Sequence, residues 1–432
     1  MSTFDSATLH LIHQLKKEKK WKKIPWKQVV KAYLNKHKMP PTLNTKEFQK
    51  RISTWYHQTR RTIKPTTKEE LRTWLEEYCA GVKQHGEPNT WDVTSVTDMS
   101  MLFFDLVTFN EPIDQWDTSQ VTDMEGMFYL ARAFNQPLPF DTAQVTTMRS
   151  MFHEATAFNQ PLTFDTAQVT NMSGMLWHAS SFNQPITFDT SQVTAMRGMF
   201  EGATTFNQPI TFDTAQVTDM QGMFYEASSF NQPLTFNTAQ VTDMCCMFRK
   251  ATAFNQPLTF TDTSGVEDMS FMFAGATAFN QPLTSFDTSQ VTNMGHMFRE
   301  ATAFNQPLPF DTAQVTDMHC MFCNAIAFNQ PITFDTSQVT DMQGMFAGAT
   351  TFNQPLTFDT AQVMNMGSMF KFARAFNQPL TSFNTAQVTN MAFMLYGANA
   401  MTYPRPPVDT SEEEEEAKPC GEQHRERCCV CT

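Results

Sequence analysis

Apolar residues in the middle of this chain change their spacing at a regular interval. Met124, Met127, Phe128 and Ala131 stand at i, i+3, i+4 and i+7, one face of a short helix that Thr122 is placed to cap. Pro137 blocks continuation, and Leu138-Pro139-Phe140-Asp141-Thr142 then alternates with period two, predicting a short strand that ends in an Asp-Thr turn. Val followed three residues later by Met recurs from Val96 to Val388, and Phe-Asn-Gln-Pro keeps phase with it from Phe134 to Pro379, after the variant Phe109-Asn-Glu-Pro112. A unit of 24 or 25 residues cannot enclose its own apolar face, whereas stacked copies can. The pattern therefore predicts an α/β repeat solenoid of about 13 coils, each with one short helix and one short parallel strand, in a rod or arc roughly 60 Å long.

Composition changes this picture little. The chain holds 40 Phe and 30 Met in 432 residues, and the repeat phase places most of them in stacked core rows. Unbranched Met fills irregular gaps, so core packing is preferred to a Met-lined metal groove. The Asn of Phe-Asn-Gln-Pro (Asn159, Asn183, Asn207) recurs once per coil and can form a hydrogen-bonded ladder. A row of Asp at 141, 165, 189, 213, 287, 311, 335 and 359 reads as solvated turn carboxylates rather than a cation site, because Asn237 and Asn384 interrupt it. No phosphate-cradling glycine loop, nucleophile elbow, zinc-protease or EF-hand motif is present, so neither catalytic nor metal or cofactor-binding residues are assigned and no enzyme is expected. Cys320-Met-Phe-Cys323 and Cys245-Cys246 flank core positions and read as structural.

Trp91-Asp-Val-Thr-Ser-Val-Thr-Asp-Met99 and Phe109-Asn-Glu-Pro-Ile-Asp-Gln-Trp-Asp-Thr-Ser-Gln-Val-Thr-Asp-Met124 resemble the BspA-like leucine-rich-repeat family, whose unit of about 26 residues is here shortened to 24 or 25. The resemblance covers residues 91–400. It implies a leucine-rich-repeat-like solenoid without catalytic residues, and a surface or adhesion role as in bacterial members.

Charge divides the chain. Residues 1–90 contain 19 Lys+Arg against 8 Asp+Glu, while the other 342 contain 12 against 35. Residues 1–66 are read as a small all-α basic domain of three helices, 67–90 as a helical cap carrying Leu71, Trp74, Leu75, Tyr78 and Val82, 91–402 as the solenoid and 403–432 as an acidic tail. The third basic helix carries Lys46, Lys50, Arg51, Gln58, Arg60 and Arg61, candidate nucleic-acid contacts, and Trp55-Tyr-His-Gln-Thr-Arg60 faintly resembles a homeodomain recognition helix. The tail contains Glu412–Glu416 and then Cys428-Cys-Val-Cys-Thr432, where Cys429 is a candidate lipidation site and the only route to a membrane. Nine cysteines without a disulfide pattern, and an N-terminus without an apolar signal region, lead to the expectation of an intracellular protein.

Individuality lies where the coils differ. His153, Trp177, His178, Tyr225, Arg249, Lys250 and Arg299 flank the core Met-Phe pairs and form the candidate partner surface. The leading expectation is a non-enzymatic scaffold for protein partners, and the second is nucleic-acid association through the basic head.

Overall fold

The computed structural model describes residues 29–31, 50, 53 and 64–404. Helix α1, Lys68–Cys79, begins at Thr67, whose hydroxyl oxygen accepts the Glu70 N–H. Its apolar stripe of Leu71, Trp74, Leu75 and Tyr78 is buried against the first coil, with Trp74 meeting Trp91 edge to face. Val82, expected on this stripe, lies beyond the helix and is 48% exposed. After a short 3-10 turn, Pro88–Thr90, the chain enters a solenoid with one continuous core.

The segment predicted as a helix is not one. In the coil containing Met124, residues 127, 129, 131 and 134 donate backbone hydrogen bonds three residues back, while Gly126, Phe128 and Leu130 donate forward to Arg149, Met151 and His153 of the next coil. Alternate N–H groups thus close tight turns and bridge coils, giving a spiral of turns in place of an α-helix. Two residues per coil, four apart, adopt left-handed φ near +55°, as Gly126 (56°) and Leu130 (60°) do. A turn with positive φ at its third residue is of type II, and such residues cannot propagate a right-handed helix. The i, i+3, i+4, i+7 spacing fits both structures, because Met124, Met127, Phe128 and Ala131 are all fully buried in this one. The expected cap Thr122 instead donates its N–H to the Thr97 carbonyl of the preceding coil.

Glycine in Met-x-Gly-Met was the discriminating signal. At Gly126 a Cβ would come within 2.5 Å of Met101 Sδ, on a backbone already at positive φ. Seventeen of the left-handed residues are nevertheless not glycine, and each stores strain of about 1 kcal/mol or more. Ser150 (φ 53°) is one of them. Ser150→Gly is therefore expected to stabilise the protein by about 0.5–1 kcal/mol in chemical denaturation, whereas a helical segment would lose about 0.5 kcal/mol.

The segment predicted as a strand keeps its alternation, with Leu138, Phe140 and Thr142 buried and Pro139 and Asp141 exposed. Its expected parallel backbone ladder is reduced there to a single bridge, Leu234 with Leu258, and a continuous row of parallel bridges runs instead one residue before the first Met, from Asp98 and Asp123 to Asn365 and Asn390. Along the strand-like segment the coils are joined by side chains. Thr118 Oγ1 donates to the Asp141 carbonyl at 2.9 Å and Thr142 to Asp165 at 2.8 Å, a pattern that continues to Thr360 and Asn384. These hydroxyls are buried and satisfied.

The Asn ladder forms. Asn159 N–H donates to Asn135 Oδ1, and Asn183 N–H to Asn159 Oδ1, while Gln160 and Gln184 Nε2 bond the same acceptors from beside them. The Asp row closes Asx turns, in which Asp141 Oδ1 accepts Ala143 N–H. Where Ser stands two residues on, its backbone N–H and then its hydroxyl hold Asp189 and Asp335 below the usual carboxylate range. Inside, Phe200, Phe224, Phe248 and Phe273 stack at 5.6–5.7 Å between centroids, and Phe230 packs 4.2 Å from Phe224 within its coil.

Candidate functional site

Side chains that follow the core Met-Phe pair point away from it and stack along the solenoid. The rings of Tyr129 and His153 lie 4.0 Å apart, and those of His153 and Trp177 3.8 Å apart. His153, expected at the surface, is only 5% exposed because both its faces are covered. Burial, with the His178 charge second, drives its imidazole down to about 3, so it is neutral at physiological pH. Trp177, His178, Tyr225, Arg249 and Arg299 are half-buried and Lys250 is exposed.

The row then turns polar. Glu201 follows Trp177 in the stack and is 5% exposed, and burial pushes its carboxyl up to about 7. The Trp177 indole N–H is buried without an acceptor in hydrogen-bonding geometry, and its weak pull on Glu201 is second to burial. Beyond Glu201, the Arg249 guanidinium lies 5.0 Å from the Tyr225 ring centre and 4.8 Å from that of Phe271. Lys250 Nζ reaches Glu226 Oε1 at 2.7 Å, Arg132 pairs with Glu154 at 2.7 Å, and Arg299 pairs with its neighbour Glu300 at 3.1 Å. Beside this stripe, burial raises the Asp243 carboxyl to about 6; the Cys245 N–H bond opposes the rise and the stacked Asp268 and Asp219 add to it.

Glu201 and Asp243 were not distinguishable by residue type from their exposed counterparts. What buries Glu201 is its place between Trp177 and Tyr225, a relation legible only once the coil step is aligned. Its carboxyl stays protonated in the folded protein where the unfolded chain, at an ordinary value of 4.5, is already ionised. Stability is therefore expected to fall as pH rises from about 4.5 through 7. Glu201→Gln should remove that decline and gain up to about 3 kcal/mol at pH 8, read by urea titrations at pH 5 and pH 8; an unchanged pH dependence would contradict the assignment.

Cys245, Cys246, Cys320 and Cys323 are buried, and the first two have sulfurs 3.4 Å apart. Among the described residues no group of three or more His, Cys, Asp or Glu is placed to share a metal ion. Lys50 is an exposed helical residue, while Lys46, Arg51, Gln58, Arg60, Arg61 and Cys429 lie outside the described residues. No helix among the described residues is long and apolar enough to cross a membrane.

Identical coils, stacked through shared ladders and varied on one stripe, define a repeat solenoid protein. The model of the family described as "Mycoplasma protein of unknown function, DUF285" matches the chain four times, at residues 74–163, 162–235, 234–333 and 309–406, and the chain belongs to that family. A search of curated proteins returns no match. Among solved structures, one titled "Crystal structure of TLR13-ssRNA13 complex" aligns over 78% of this chain at 8% identity and a TM-score of 0.19, too low to carry an argument. The alignment spans 51% of that chain, about half its length.

Proposed function

We propose that this protein is a non-enzymatic scaffold that binds a protein partner along the variable stripe of its solenoid. The carrying observation is the segregation of chemistry. The Lys and Arg residues of positions 91–404, namely Arg132, Arg149, Arg197, Arg249, Lys250, Arg299, Lys371 and Arg374, all fall between the first Met and the Phe-Asn of their coils. The same interval carries Tyr129, Trp177 and Tyr225, each half-buried. Aromatic residues and Arg are the types that dominate protein interfaces, and the mixed charges there suit a protein surface better than a phosphate backbone. The Asx-turn side of the coils, by contrast, repeats the same small and acidic residues and offers little to discriminate between partners.

The BspA-like resemblance supports this reading, since many bacterial members of that family are surface proteins used in adhesion or host contact and the family brings no catalytic residues. The test compares captured proteins between the native chain and a variant carrying Trp177→Ser, Tyr225→Ala, Arg249→Ala and Lys250→Ala. A partner held by the native chain and lost by the variant, with the variant still folded by circular dichroism at the assay temperature, is expected; equal capture by both would remove the stripe from the binding surface.

A further inference from the structure

Charge is unevenly spread along the variable stripe. Its carboxylates, Asp105, Glu125, Glu154, Glu201, Glu226 and Glu300, all precede residue 301. Most of them neutralise a stripe cation: Glu154 pairs with Arg132, Glu125 lies 3.6 Å from Arg149, and Glu226 and Glu300 pair with Lys250 and Arg299. Lys371 and Arg374 stand three coils after Glu300, an interval of roughly 14 Å of stack that exceeds the Debye length of about 10 Å at 0.1 M salt. The row of parallel bridges beside the stripe, acidic at Asp317 and Asp341, continues as Asn365 and Asn390. The Asp341 carboxylate is itself engaged, accepting the Gln343 N–H at 2.7 Å and Asn365 Nδ2 at 3.2 Å. Among the described residues, no carboxylate pairs with Lys371 or Arg374.

The surroundings of Lys371 are aromatic instead. The residue is 9% exposed, and its Nζ lies 5.6 Å from the ring centre of Phe372 and 5.1 Å from that of Phe393. Phe372 is fixed there, packed so closely over Gly397 that a Cβ at that position would collide with its ring. Tyr396, 37% exposed, completes the group by meeting Phe372 and Phe393 edge to face at 5.4 and 6.0 Å. Rings attract an ammonium without accepting its hydrogen bonds in the ordinary way, so among the described residues its three donors stay unused. An ammonium with unused donors beside half-buried rings suits an anion that arrives with an apolar neighbour. A long polyanion is disfavoured, because a phosphate backbone needs a run of cations and residues 91–432 hold 12 Lys+Arg against 35 Asp+Glu.

We propose that the stripe of the last two coils, formed by Lys371, Phe372, Arg374, Phe393 and Tyr396, docks an acidic segment of a partner protein that carries an apolar side chain among its carboxylates. A carboxylate takes the unused donors of Lys371, a second one meets Arg374, and the apolar side chain lies against Phe393 and Tyr396. The proposal names the partner chemistry of one end of the stripe and rests on the reading that the stripe binds protein. The coils before residue 301 carry carboxylates of their own on this face and would repel the same segment, so the charge pattern sets where along the solenoid it lands.

The test is fluorescence anisotropy of a labelled peptide, Glu-Glu-Phe-Glu-Glu, titrated with the full chain. The native protein is expected to bind it, and to bind the same peptide with Gln for every Glu about tenfold more weakly or worse. Lys371→Met keeps an unbranched apolar stem and should lose about tenfold in affinity, while Lys371→Arg retains binding and Trp177→Ser leaves it unchanged. No binding by the native chain, equal affinity for the two peptides, or equal binding by native protein and Lys371→Met would overturn the proposal. Tighter binding by a full chain with Glu412–Glu416 changed to Gln would also overturn it, because the acidic run of this chain would then be the occupant, and so would displacement of the peptide by an equimolar single-stranded oligonucleotide. Failure here, with capture still lost on changing Trp177, Tyr225, Arg249 and Lys250, would leave the stripe as a protein-binding surface and remove only the acidic partner.

Discussion

Removing Gly198 alone is expected to unfold the coils around it, whereas removing the 24 residues from Val193 to Gln216 should leave a folded protein. The register of the turn spiral explains the contrast. Gly198 holds one of the two left-handed positions of its coil, with Met199 and Phe200 fully buried immediately after it. Loss of one residue turns Met199 and Phe200 away from their rows and misaligns donors from Gly174 and Leu176 with the carbonyls of Arg197 and Met199. Two large core side chains lost together cost on the order of 5–10 kcal/mol. Loss of the whole coil instead joins Gln192 to Val217 and presents the same carbonyls to the coil before and the same donors to the coil after. Its cost is one coil's share of the total, as expected for nearest-neighbour stacking. Denaturant titrations of the two deletions measure the difference, and comparable midpoints would contradict the register described.

Adjacent residues on opposite sides of the spiral provide the second large effect. Phe224→Ala removes a ring stacked 5.6 Å from both Phe200 and Phe248 and 4.2 Å from Phe230. A cavity in a column with neighbours fixed above and below cannot collapse, so a cost near 3–5 kcal/mol is expected. Tyr225→Ala, one residue on, removes a half-buried ring from the outer stripe and should cost about 1 kcal/mol, chiefly its contact with Arg249. The pair is read by urea titration, and similar losses would mean that the inside and outside of the coil are wrongly assigned.

The repeat, its step and its core were legible because burial leaves a direct trace: Met124, Met127, Phe128 and Phe134 recur in phase, and all are fully buried. The Asn ladder was legible for the same reason, since one polar residue repeated beside a core Phe needs a repeated partner. The backbone path was not. Two full turns of helix and a run of type II turns bury the same positions, and what separates them is the sign of φ at Gly126 and Leu130. Sequence marks that sign weakly here, because Leu130, Ser150 and Phe271 occupy it as well as glycine. On the candidate surface, His153 was misplaced because its burial comes from Tyr129 and Trp177, residues 24 positions away on either side. Stacking between coils, rather than spacing within one, decides what is exposed.

The N–H to carbonyl bonds that join each coil to its neighbours have a mechanical consequence. A pull applied at the two ends of the solenoid loads those bonds along their own direction, coil interface by coil interface, so that the weakest interface opens while the others hold. Each released coil adds about 80 Å of extended chain in exchange for the roughly 5 Å it occupied in the stack. Under tension the protein should lengthen in near-equal steps, set by the 24- and 25-residue repeat, and act as a tether that yields without parting.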